Sequence, residues 1–179
     1  FGTTALTANA VAGNIAMFQI LPGMAIGYAV VTVVSQCAGA RNYDQAKYYT
    51  KLLIKYMYAG MWLVNLIVIF TCPLIVQAYH LSSETGTLTT QLLIYHAAAC
   101  MTIWVPSFGL PNTLRAAGDV MWTMGISIVS MWVFRIGTAY FFSNVFQLGL
   151  IGIWIAMTID WMFRGCCYWL RFRSGKWER

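Results

Sequence analysis

Asn9-Ala-Val-Ala-Gly-Asn-Ile-Ala-Met-Phe-Gln-Ile-Leu-Pro-Gly-Met-Ala-Ile-Gly-Tyr-Ala-Val-Val-Thr-Val-Val-Ser35 contains no charged side chain. A helix of roughly 20 apolar residues crosses a hydrocarbon core with every backbone N–H and C=O bonded inside it, so this stretch reads as a membrane span. The same reading applies to Tyr56 to Val76, Leu88 to Leu110, Val120 to Phe142 and Leu148 to Leu170. Together the five account for most of the chain, which is 60% hydrophobic and 9% charged; soluble domains carry about a quarter of their residues as charges. No stretch alternates apolar and polar residues as a barrel strand does. The fold class expected is therefore all-α, a polytopic transmembrane helical bundle.

The basic residues give that bundle an orientation. Arg41, Lys47, Lys51 and Lys55 follow the first span, Arg115 follows the third, and Arg171, Arg173, Lys176 and Arg179 follow the fifth. The connections Gln77 to Thr87 and Ser143 to Gln147 contain neither Lys nor Arg. The positive-inside rule then places the start of the chain outside and its end in the cytoplasm. The net charge of +6 reports topology and contact with anionic lipid, not nucleic acid. Lys47, Lys51 and Lys55 share one helical face and read as a basic surface segment on the headgroups, with substrate recognition as the alternative. A chain that begins at Phe1 and enters its first span from outside reads as the last five spans of a longer membrane protein.

The five cysteines are odd in number and lack C-x-x-C spacing, which argues against a disulfide framework or zinc site. Cys166 and Cys167 read as small packing residues, with palmitoylation as the alternative. No nucleophile–base pair, P-loop or metal-ligand cluster is visible, so no enzymatic activity and no cofactor are expected.

Within the spans, the prolines and polar residues carry the functional signal. Pro22 sets free the carbonyl of Phe18, and Gly23 and Gly27 form a G-x-x-x-G along which another helix packs closely, so a kink and a tight crossing are expected there. Pro106 frees the carbonyl of Thr102, and Pro111 is expected to end the third span, with Gly118 in the turn that follows. Asn9, Asn14 and Gln19 place polar groups on the outer half of the first span, facing a partner helix or a cavity. His96 lies in the third span and titrates near physiological pH when unperturbed, or serves as a neutral hydrogen-bonding group. Asp160 and Arg164 stand four residues apart, acid first, as an intrahelical ion pair or a proton-coupling site. Arg135 lies about 10 Å from the outer edge of the fourth span, within reach of either the interface or Asp160. Asn65 reads as an interhelical hydrogen-bonding group. The tryptophans at 104, 122, 132, 154 and 161 read as packing or interfacial anchors.

Several segments resemble the multidrug and toxic compound extrusion family of antiporters. Ile20-Leu-Pro-Gly23 followed by Val34-Ser-Gln-Cys-Ala-Gly-Ala-Arg-Asn42 is similar to that family's eighth helix and the turn closing it. Asp44-Gln-Ala-Lys47 fits the next helix start, Pro111-Asn-Thr-Leu-Arg-Ala-Ala-Gly-Asp119 the loop after the tenth, and Gly152-Ile-Trp-Ile-Ala-Met157 with Arg164 and Arg171-Phe-Arg-Ser-Gly-Lys-Trp177 the twelfth. The resemblance covers nearly the whole chain and implies helices eight to twelve of a twelve-helix, two-bundle carrier in a bacterial inner membrane. It implies export of cationic or amphipathic small molecules in exchange for Na⁺ or H⁺, with the missing N-terminal half as partner. Some members carry an acidic residue in the tenth helix, where this chain offers His96; others place the carboxylate on the first helix, upstream of Phe1. The candidate cavity residues are thus Asn14, Gln19 and His96, with Pro22 and Pro106 as hinges. A lipid-linked oligosaccharide flippase of the same superfamily and a non-transporting scaffold subunit are the alternatives.

Overall fold

The computed structural model describes residues 2–142 and 149–178. The expected connection Ser143 to Gln147, the expected start of the fifth span at Leu148, and Phe1 and Arg179 lie outside the described residues. Five helices are long and apolar enough to cross a membrane, and the described residues contain no strand. In chain order they are α1 (Thr3–Gly39), α2 (Tyr43–Ala78), then α3 (Ser83–Ala99), a π-helical segment π1 (Cys100–Gly109) and α4 (Leu110–Ala116), then α5 (Val120–Ser130), π2 (Met131–Gly137) and α6 (Thr138–Tyr140), and last α7 (Gly149–Arg173). The segments α3, π1 and α4 make one span, Ser83–Ala116, and α5, π2 and α6 another, Val120–Tyr140.

Polar side chains close the helix starts where the sequence places them. The Asn42 carboxamide accepts the Gln45 N–H at the head of α2, and the Ser82 hydroxyl accepts that of Thr85 at the head of α3, each capping a donor that would otherwise be orphaned. Gly118 sits at φ 93°, the left-handed conformation that a residue without Cβ adopts freely, as the sequence requires of this turn.

Two boundaries differ from expectation. The basic segment through Lys47, Lys51 and Lys55 is not a separate surface helix: α2 runs unbroken for 36 residues, about 54 Å at 1.5 Å per residue, so its basic turns extend beyond the ~30 Å core that its apolar part crosses. Pro111 does not end the third span either, because α4 continues to Ala116. The switch from π to α geometry at Leu110 makes Pro111 the second residue of a new α segment, where a missing N–H costs little.

The π segment also explains Pro106. Lacking an N–H, Pro106 deprives one carbonyl of its helical donor: that of Met101, five residues back, in π geometry, or that of Thr102, four back, in α geometry. Both find donors on α2: Trp62 Nε1 donates to the Met101 carbonyl at 3.0 Å and the Tyr58 hydroxyl to that of Thr102 at 3.1 Å.

The helical pattern of α1 continues through Pro22 to Gly39, and the crossing at Gly23 and Gly27 is as close as the glycine spacing requires. A Cβ on Gly23 would overlap the Trp104 ring and lie 3.0 Å from Met61 Sδ, and one on Gly27 would lie 2.7 Å from Asn112 Nδ2. Gly23→Ala is therefore expected to cost about 1–3 kcal/mol through overpacking against a rigid indole. Gly13→Ala, with nothing within 4 Å, should stay within about 0.5 kcal/mol. Thermal unfolding of the two variants of the full-length protein in detergent checks the contrast.

The core is divided into two apolar clusters. One includes Val30, Val34, Met57, Met61, Trp104, Leu114, Trp161 and Tyr168, and the other Ala8, Ala12, Cys72, Leu92, Leu93 and Trp154. Along α1, α2 and α3 the buried polar residues Gln19, Asn65 and His96 fall between the two. The basic connections gather at one end of the bundle. There Lys47 Nζ meets Glu178 at 2.8 Å and Arg171 Nε meets Asp119 at 2.7 Å. Trp177, 1% exposed, stacks on Phe172 and stands edge-on to Tyr43, which folds the chain's end back over the α1–α2 turn.

Candidate functional site

Gln19 and His96, 77 positions apart, meet in the middle of the bundle: Gln19 Oε1 and His96 Nδ1 lie 2.7 Å apart. Gln19 Nε2 donates to the Leu93 carbonyl at 3.3 Å, so α1 is bonded twice to α3. Asn65 Nδ2 donates to the carbonyls of Gln19 and Met61 at 3.2 and 2.8 Å, bringing in α2. The Gln19 carbonyl lies in the turn immediately before Pro22, one residue beyond the Phe18 carbonyl that the proline leaves without its helical donor. The His96 ring is enclosed by Trp154 and Trp161, both edge-on, at centroid separations of 5.4 and 5.6 Å. Cys100 Sγ approaches the same ring at 3.5 Å.

One acceptor in this layer is unused. Asn65 Oδ1 is buried without a hydrogen-bond partner among the described residues, and its identity as the oxygen follows from the two carbonyls opposite the other atom, which only an NH₂ can satisfy. Leaving such an acceptor dry costs about 1–3 kcal/mol, so the layer carries a polar group that folding alone does not use.

Asn14 is placed differently. It is exposed, on the opposite side of α1 from Gln19, in a stripe continued by Met17, Phe18, Leu21 and Tyr28, each more than half exposed. The recurrence at three and four residues puts them on one face. The structure thus joins Gln19 to His96 and separates both from Asn14.

Asp160 and Arg164 form the ion pair that their spacing suggests, with Arg164 Nη2 2.5 Å from Asp160 Oδ2. The carboxylate is 0% exposed and also accepts a hydrogen bond from Ser130 of α5. Arg164 lies over the Phe108 ring at 4.9 Å; Phe108 meets Trp161 edge-on, so a continuous aromatic contact links the ion pair to the His96 layer. Arg135 takes no part. It is exposed in π2 beside exposed Trp132 and Ile136, and Asp160 is satisfied by Arg164 and Ser130 instead.

Sequence reasoning missed Ser130 and Cys100 as members of these contacts. A small polar residue inside an apolar span is a weak signal for Ser130, and nothing in the sequence marks its partner.

The helices define a polytopic membrane protein whose spans enclose polar and ionised side chains. The family model MatE matches residues 1–141, and the chain belongs to the MatE family. It is 28% identical over 162 residues to the probable multidrug resistance protein YoeA of Bacillus subtilis, covering 87% of this chain and 33% of that protein. It is 29% identical over 183 residues to the uncharacterized transporter YisQ of the same organism (98% and 38%), and 25% identical over 185 residues to the probable multidrug resistance protein NorM of Thermotoga maritima (99% and 38%). The chain spans 33 to 38% of the length of these relatives.

Proposed function

We propose that the chain forms most of the second bundle of an ion-driven efflux carrier for cationic or amphipathic small molecules. Its relatives named for multidrug resistance support export. The observation that carries the mechanism is the enclosed Asn65–Gln19–His96 layer, set on a helix whose other face is open. In this reading the Asn14, Met17, Phe18, Leu21 and Tyr28 face of α1 is one wall of the central cavity between bundles. Aromatic and thioether side chains there take apolar and cationic substrates, and Asn14 supplies a polar contact. The coupling ion, Na⁺ or H⁺, is cargo of the buried layer: His96 offers a nitrogen for a proton, and Asn65 Oδ1 an oxygen for Na⁺. Filling that acceptor shifts the packing of α1 against α2 and α3, and so biases the alternating arrangements of the cavity wall. The end bearing Lys47, Arg115 and Arg171 faces the cytoplasm.

A flippase of lipid-linked oligosaccharides is the second reading, and a cationic cavity wall is its expected mark. The whole of α1 contains neither Lys nor Arg, which favours export of cations. The test is export of a fluorescent cation by the full-length carrier in efflux-deficient cells. With Asn14, Gln19 and His96 all replaced by Ala, export is expected to fall about tenfold or more, the scale of a lost coupling free energy. Wild-type-like export by that variant would remove these residues from the mechanism.

A further inference from the structure

A cavity of about 330 Å³ opens between the third, fourth and fifth spans at the basic end of the bundle, with Arg115, Arg164, Thr123, Ser127 and Tyr168 among the residues lining it. Two guanidinium groups face this space, and no carboxylate is among its lining residues. Asp160, the counter-charge of Arg164, engages one of its nitrogens, Nη2. Arg164 Nε is buried with no hydrogen-bond partner among the described residues. Arg115 donates Nε to the Pro111 carbonyl and Nη2 to Asn112 Oδ1. A guanidinium has five N–H donors, so both arginines retain donors beyond these bonds. The hydroxyls opposite are held in a chain: Ser127 Oγ and Tyr168 Oη lie 2.6 Å apart, and Tyr168 Oη donates to the Thr123 carbonyl at 3.1 Å. The remaining wall is apolar, and its Val120 and Met124 are 43% and 51% exposed.

Such a wall repels the cationic cargo proposed for the carrier and suits an anion instead. We propose that this cavity binds a phosphate group, bridged by Arg115 and Arg164, and that its source is the headgroup of an anionic lipid of the inner leaflet. Guanidinium donors match phosphate oxygens in geometry and charge, and basic recesses between spans on the cytoplasmic side hold lipid headgroups. The exposed Val120 and Met124 beside the arginines leave an apolar path for the acyl chains. A headgroup seated here would tie α4, α5 and α7 together at the end that bears the Asp119–Arg171 pair. This inference rests on the cytoplasmic orientation proposed above but not on the efflux reading, since it concerns a cavity that cargo does not enter.

The test uses the purified full-length carrier in an uncharged maltoside detergent, titrated with short-chain phosphatidylglycerol while thermal unfolding is followed. Saturable stabilisation is expected from phosphatidylglycerol and none from the matching diacylglycerol. Arg115→Gln is expected to raise the apparent Kd about tenfold, the loss of a charge-assisted hydrogen bond. The paired variant D160N/R164Q, which leaves no unpaired buried charge, is expected to do the same; should it fail to fold, Arg115→Gln carries the test alone. Inorganic phosphate that protects as well as the lipid would keep the phosphate site and make free phosphate its source. Equal protection by diacylglycerol, or a Kd unchanged in Arg115→Gln, would overturn the proposal.

Discussion

Arg164→Met is expected to lower the stability of the folded carrier by about 3–5 kcal/mol, because it strands the Asp160 carboxylate in the interior with the Ser130 hydroxyl as its remaining side-chain partner. The double variant D160N/R164M should recover most of that loss, since a neutral amide of the same size can still accept from Ser130 and no charge is left buried. The reverse ordering, with the double variant as unstable as the single one, would show that packing around Arg164 dominates over its charge. Thermal unfolding and detergent tolerance of the three proteins separate these outcomes. The result also bears on coupling: export retained in the double variant assigns the pair to architecture, and export lost with stability restored assigns it to the ion pathway.

Trp177→Ala should cost a similar amount, about 3–5 kcal/mol, as buried aromatic truncations do. The indole is 1% exposed, stacks on Phe172 at a centroid distance of 5.3 Å, and donates Nε1 to the Phe172 carbonyl at 3.0 Å. The neighbouring Lys47–Glu178 pair is a weaker tie. Its partners are 36% and 23% exposed, a setting in which an ion pair contributes about 0–1 kcal/mol. Glu178→Gln is therefore expected to leave stability nearly unchanged, while Trp177→Ala frees the chain's end from the α1–α2 turn. Limited proteolysis of the two variants, followed at the Lys176 and Arg173 bonds, checks this: rapid cleavage is expected in Trp177→Ala alone. Equal protection of both would mean that the tail is held elsewhere.

The features legible in the sequence are those set by short-range chemistry. Apolar length placed the spans, because a membrane helix must satisfy its own backbone. The four-residue spacing of Asp160 and Arg164 placed both on one face. The missing N–H of Pro106 pointed to the Thr102 carbonyl, which Tyr58 takes, and Gly118 marked its turn. What escaped the sequence depends on partners far along the chain. The pairing of Gln19 with His96 requires α1 and α3 to be adjacent at one depth, which periodicity does not encode, and this same pairing turns Gln19 away from Asn14. The continuity of α2 through its basic turns was hidden because hydropathy records where a helix leaves the lipid, not where it ends. Pro111 was misplaced as a terminator because the π segment before it, which resets the hydrogen-bond register, has no sequence signature of its own. Trp177 reads as part of a polar tail until Phe172 and Tyr43 are seen around it.

The most direct test of the central claim is accumulation of a fluorescent cation in inside-out vesicles containing the full-length carrier, under an imposed Na⁺ or proton gradient. The wild type should accumulate the dye while either the Na⁺ or the proton gradient persists and lose it when that gradient is dissipated. Asn65→Leu, which replaces the unpartnered acceptor with an apolar branch and also withdraws the Nδ2 bonds to the Gln19 and Met61 carbonyls, should accumulate no more than the dissipated control. Undiminished gradient-driven accumulation by Asn65→Leu would contradict a coupling role for the Asn65–Gln19–His96 layer, and wild-type accumulation indifferent to both gradients would contradict ion-driven efflux itself.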